Sequence, residues 1–249
     1  MLEKLAKQTA VYGISTIAVR FLSYLLTPVF TRVFEPEAYG IVTDVYALIP
    51  FALVVLTMGL ESAYFRFAAK ADAAAAAAGG TEGEIAAQAR AGKRRLFATA
   101  WGVTLLAASL FFLLTAFGRE RVAEWMGEAY VAHPEYVLLV AAVVWFDVAA
   151  CLPFSRLREQ GRAMTFVGIK ALGVVVNVAL AIGFALAGLY GTPFGVGWVF
   201  VANLIASAVT FNVILLTTDR TVPRIDRRLL AAAPVSYTHL RAHETEADL

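Results

Sequence analysis

Cysteine occurs once, as Cys151, so no disulfide can form within the chain. Histidine is almost as scarce: His133 sits beside Pro134, and the other two, His239 and His243, fall near the end. No glycine-rich phosphate loop, Cys/His cluster or nucleophile–base motif is present, which removes the usual catalytic signatures. Charge is thin as well. Charged residues are 16% of the chain, against about 25% in soluble domains. The net charge is +2; no nucleic-acid motif appears, and the basic residues sit between apolar runs, where lipid headgroups are the nearer partners. What replaces these groups is hydrocarbon: 60% of the residues are hydrophobic and the mean hydropathy is +0.70.

The apolar residues come in long runs. Stretches 97–117 and 195–218 carry no charge, and 163–197 carries only Lys170. About 20 apolar residues cross a hydrocarbon core of about 30 Å, so the fold class expected is all-α, a polytopic membrane protein. Six transmembrane helices are expected, at 9–31, 39–61, 96–117, 136–153, 165–189 and 195–218. Glu35-Pro36-Glu37 suits the first turn of the second span, and Gly191-Thr192-Pro193 a tight turn before the sixth.

Lysine and arginine are distributed unevenly over the connections. Lys4, Lys7, Arg66, Lys70, the Arg90–Arg95 group, Arg156, Arg158, Arg162, Arg220, Arg224, Arg227 and Arg228 share one side. The other side has Arg32, Arg119 and Arg121. The positive-inside rule then places the N-terminus in the cytoplasm. The low-complexity stretch 73–83 reads as a flexible connector, with a helix over 85–95 feeding the third span.

Charges inside the spans are the residues that call for a function: Arg20, Asp44, Asp147 and Lys170. Each costs about 2.5–3.5 kcal/mol at a bilayer centre, so each needs a partner or a watery cavity. In the first span Thr9, Gly13, Thr16, Arg20, Ser23, Thr27 and Thr31 recur every three or four residues, one stripe down a helix. Lys170, Gly173 and Asn177 repeat the spacing in the fifth span, and Asn203, Ser207, Thr210 and Thr217 follow in the sixth. Such hydroxyls and amides also bond helix to helix, but a stripe of this length fits a hydrated path. Asp44 is the expected counter-ion of Arg20, and Asp147 of Lys170. Glu61 is expected at an exposed helix end.

The opening K-L-A-K-Q-T-A-V-Y-G-I-S-T-I-A-V-R-F-L-S-Y-L-L-T-P-V-F-T-R-V-F-E-P-E-A-Y-G-I-V-T resembles the start of polysaccharide-type lipid flippases. These belong to the multidrug/oligosaccharidyl-lipid/polysaccharide exporter superfamily. M-G-L-E-S-A-Y-F-R-F, residues 58–67, resembles the family's pattern closing the second span. The resemblance implies two six-helix lobes around a central cavity, working by alternating access in the bacterial inner membrane. It implies a polyprenyl-pyrophosphate-linked saccharide as substrate, membrane lipids as surroundings, and no enzymatic activity. It marks Arg20 and Asp44 as cavity candidates, to which the in-span charges and polar stripes add Lys170, Asp147, Asn177, Asn203, Thr16 and Ser23, and it marks Glu61 and Arg66 as gate candidates. No cofactor is expected, and a coupling cation, H+ or Na+, stays open. A drug exporter of the same superfamily, or a fragment of a membrane glycosyltransferase or polymerase, are the alternatives.

Against that architecture the chain is expected to hold the N-terminal lobe, 1–234, with its C-terminal lobe missing. The closing V-S-Y-T-H-L-R-A-H-E-T-E-A-D-L resembles one reading frame of a transposase-type sequencing adapter. Residues 235–249 are therefore expected to be read-through, and His239 and His243 no zinc site.

Overall fold

The computed structural model describes residues 26–218, 221–224 and 226, and their regular structure is entirely helical, with no strand among the described residues. In chain order the helices are α1 (Thr27–Val33), α2 (Pro36–Thr57), α3 (Leu60–Ala78), α4 (Glu82–Phe117), α5 (Arg119–Met126), α6 (Glu128–Val131), α7 (Glu135–Glu159), α8 (Ala163–Leu186) and α9 (Gly197–Thr217). A short 3-10 turn, Leu189–Gly191, joins α8 to α9. Five stretches are long and apolar enough to cross a membrane: α2 running into α3, then α4, α7, α8 and α9. Of the expected first span only the end, α1, lies among the described residues.

Local sequence explains the helix ends. Pro36 opens α2 at a position that needs no N–H, after an extended Glu35. Met58 and Gly59 then take left-handed backbone, with φ of 48° and 68°, which bends the chain between α2 and α3. The expected second span, 39–61, crosses this bend.

The connector over 73–83 is a correction. Ala73–Ala78 continue α3, because alanine is the residue least costly to hold in a helix. Gly79 and Gly80 make the turn, with φ of 72° and 121°. Thr81 then starts α4 with a capping box: its N–H donates to Glu84 Oε2 at 2.9 Å, and the Glu84 N–H donates to Thr81 Oγ1 at 3.4 Å. The stretch is thus a helical hairpin. The 36-residue α4 would be about 54 Å long against a hydrocarbon core of about 30 Å, so its first turns stand clear of the membrane.

The fourth span also runs past its expected end. Pro153 lies inside α7, which continues to Glu159. Proline lacks the N–H that would bond the carbonyl four residues back, here that of Ala149. The Trp101 indole N–H of α4 donates to Ala149 O at 2.9 Å, so the carbonyl is satisfied from a neighbouring helix.

Helix α7 is the axis of the bundle. Val143, Val144, Val148, Ala149 and Leu152 are at most 1% exposed, packed between α2, α4 and α9. At its start Tyr136 donates to Phe194 O at 2.7 Å, and His133 stacks on the Tyr136 ring. Among the described residues, α2 and α8 bury far less of themselves.

Candidate functional site

The weakly buried helices enclose the site. Helices α1, α2, α7, α8 and α9 surround a cavity of about 710 Å³. Its apolar part comes from Phe30, Val42, Ile49 and Val174, and its polar part from side chains on five helices. Helix α8 supplies Lys170, Gly173 and Asn177, and α9 supplies Asn203, Ser207 and Thr210, each set at helical spacing. Asp147 enters from α7, Thr43 and Tyr46 from α2, and Thr27 from α1.

These groups are partnered in ways that hold the lining in place. Asp147 lies beside Ser207 and faces the Lys170 charge. The Lys170 ammonium lies 4.2 Å from the centre of the Phe154 ring, a cation–π contact at the cavity's edge. Asn177 on α8 lies near the Tyr46 hydroxyl of α2 across the space. Gly173 lets α8 approach α9 closely: a methyl group at that position would run into Thr210 Oγ1. One cation, one carboxylate, two amides and several hydroxyls thus face a space bounded by hydrocarbon. Chemically this suits an uncharged polyhydroxyl group joined to an anion.

Of the cavity candidates from the sequence, Asp147, Lys170, Asn177 and Asn203 come together here. Asp44 does not join them. It is exposed on α2, close enough to Tyr130 to act on its hydroxyl electrostatically. Arg20, Thr16 and Ser23 lie outside the described residues. Thr217, on the same stripe as Asn203, bonds its hydroxyl back to Val213 O at 2.6 Å and is absent from the cavity lining.

The two gate candidates part company. Arg66 is exposed, whereas Glu61 is half-buried in an ion pair with Arg158 and accepts from Cys151 Sγ at 3.6 Å. Exposure was the expectation for Glu61; the α2–α3 bend instead turns α3 across the end of α7, where Arg158 meets it. Next to it Glu159 accepts from Lys93 Nζ at 2.7 Å, and Lys93 also bridges to Asp72 at 2.8 Å. Arg156 donates to Thr221 Oγ1 at 2.9 Å above the Phe97 ring. This network joins α3, α4 and α7 at the basic end of the bundle. Its signal in the sequence was R-L-R-E, 156–159, three charges in four residues directly after an apolar span. Read only as orientation markers, they hid their partners.

A comparison with family models decides what the bundle belongs to. The model described as polysaccharide biosynthesis protein matches residues 5–231. The chain belongs to that family. Searches of curated proteins and of solved structures gave no match. Family membership and the apolar helices make this a multi-pass membrane protein with a role in polysaccharide biosynthesis or export.

Proposed function

We propose that the chain forms one lobe of a flippase that moves a lipid-linked saccharide across the bacterial inner membrane. Sugar and pyrophosphate cannot cross hydrocarbon unaided, while the polyprenyl tail has no reason to leave it. A laterally open, hydrated cavity answers both needs. The observation that carries this reading is the cavity in which Lys170, Asp147, Asn177 and Asn203 converge between apolar helices. Lys170 would meet phosphate as a point charge, with Arg20 as a second cation; the amides and hydroxyls would meet sugar. Asp147 would balance Lys170 or hold a coupling cation. With the orientation expected from the basic residues, the N-terminus and the Glu61–Arg158 network would be cytoplasmic, and the network would serve as a gate on that side. Alternating access would require a second lobe. The chain would work as a transporter and not as an enzyme.

The test is Lys170→Met in a full-length family member carrying this sequence. Surface polysaccharide output should fall at least tenfold with the amount of protein in the membrane unchanged, and Lys170→Arg should restore part of it. Full export by Lys170→Met would remove the lysine from the headgroup site and overturn the assignment.

A further inference from the structure

A second cavity lies on the opposite face of α2. Tyr39, Val42, Tyr46 and Ile49 turn toward the polar space, while Leu48, Phe51, Ala52 and Val55 turn toward an apolar crevice of about 310 Å³. Its far wall is Val140 and Val144 of α7, and one end is closed by Val122, Trp125 and Met126 of α5. The tyrosines that border it send their hydroxyls elsewhere, Tyr130 to Ile41 O and Tyr136 to Phe194 O, so the crevice receives only ring surface from them. It opens outward: Phe51 is 68% exposed, Val55 54% and Trp125 80%. The described part of the first helix cannot cover it, because Leu26, Thr27 and Phe30 line the polar cavity on the other face.

Helix α5 adds charge to this shape. Advancing about 100° per residue, Arg119 and Arg121 fall on either side of the Val122–Trp125–Met126 face, roughly 70° and 90° from its centre. Glu120 and Glu124 fall roughly 150–170° away, on the back of the helix. All four are exposed. A helix with Trp and Met on one face and flanking arginines sits at a bilayer surface, where guanidinium groups reach phosphate and the apolar face meets acyl chains. We propose that the crevice is a binding site for one acyl chain of an anionic phospholipid of the bilayer, with its phosphate drawn to the arginines, Arg119 and Arg121, that flank the apolar face of α5. This site is separate from the polar cavity and does not depend on what that cavity carries. A neutral zwitterionic lipid would fill the same groove but gain less, since its ammonium offsets the charge that the arginines attract.

The test uses the full chain, purified in mild detergent and stripped of lipid, in native mass spectrometry. Phosphatidylglycerol and phosphatidylcholine with identical acyl chains are titrated separately. One phosphatidylglycerol should bind at least tenfold more tightly than phosphatidylcholine. In the Arg119→Gln/Arg121→Gln variant that preference should vanish, and in Ala52→Phe, which fills the groove, both lipids should lose the tight site. Should Ala52→Phe fail to fold, the arginine pair, being exposed, still decides the matter. Equal binding of the two lipids by the wild-type chain would overturn the proposal, as would an unchanged preference in the arginine variant. Displacement of the bound lipid by polyprenyl phosphate would also overturn it, because the crevice would then belong to the substrate's tail.

Discussion

Helices α7 and α8 are almost equally apolar, yet 61% of the most apolar stretch of α7 is buried and only 17% of that of α8. Hydropathy therefore says that both cross a membrane and nothing about what each faces. The difference lies in where their few polar atoms go. Around α7, Trp101 reaches in to Ala149 O, and the one carboxylate of the span, Asp147, lies beside Ser207. Helix α8 instead presents Lys170, Gly173 and Asn177 to the open cavity and leaves Met164, Val175 and Leu186 exposed on its remaining surface. One helix is a structural axis; the other is a wall.

The largest effect should come from deleting side chains on the two helices. Leu152 in α7 is wholly buried and Leu172 in α8 is 38% exposed. Leu152→Ala should destabilise the protein by about 2–5 kcal/mol, a cavity cost that its close-packed neighbours cannot relieve by collapsing. Leu172→Ala should cost less than about 1 kcal/mol, because little packed protein surrounds it. Thermal unfolding in detergent, followed by the loss of the monodisperse peak on a sizing column, measures both. Similar losses would mean that α8 packs against protein as α7 does, and the contrast would collapse.

A smaller effect should appear where α7 carries its proline. Trp101→Phe keeps most of the ring surface but removes the indole N–H from Ala149 O, leaving a buried carbonyl without its donor. The expected cost is about 1–3 kcal/mol. Pro153→Ala supplies a backbone N–H to the same carbonyl, so in the Trp101→Phe background it should recover stability, while in the wild-type background it should gain much less. If Pro153→Ala gains the same amount in both backgrounds, the indole and the proline are not coupled.

This pairing also shows what the sequence could disclose. Charge-free runs gave the long helices, because the bilayer sets their length directly. Helical spacing on α8 and α9 brought out Lys170, Asn177 and Asn203, since residues three or four apart must share a face. The expected fourth span ends at Pro153 although α7 continues past it, because the carbonyl that the proline leaves without a donor, Ala149 O, is met by Trp101, forty-eight positions before that alanine. Asp44 lies off the cavity on α2, since a single charge in a span does not say which side of the helix it will take. The Glu61–Arg158 pair and the apolar crevice beneath Trp125 were invisible for the same reason: both depend on how separate helices are set against one another. The alanine tract was misjudged for another reason, composition taken as flexibility where helix propensity decides.

The smallest effect, and the finest test of α8 as a wall, concerns Gly173. Alanine is favoured over glycine within a helix by about 0.8–1.0 kcal/mol, so Gly173→Ala should stabilise α8 if nothing stands in the way. Thr210 Oγ1 does stand there, too close for a methyl group to fit without moving it. Threonine has few χ1 choices in a helix, so the hydroxyl must swing to another rotamer or α9 must shift by a few tenths of an ångström. The two contributions oppose each other and are of similar size, so the single variant should differ from wild type by no more than about 1 kcal/mol. Thr210→Ala removes the obstacle. Gly173→Ala introduced on top of it should then deliver nearly the whole propensity gain, and the double-mutant cycle should show coupling of at least about 0.5 kcal/mol. Additive behaviour would mean that α8 and α9 stand farther apart at this level than Gly173 and Thr210 require, and the polar wall of the cavity would be looser than the geometry describes.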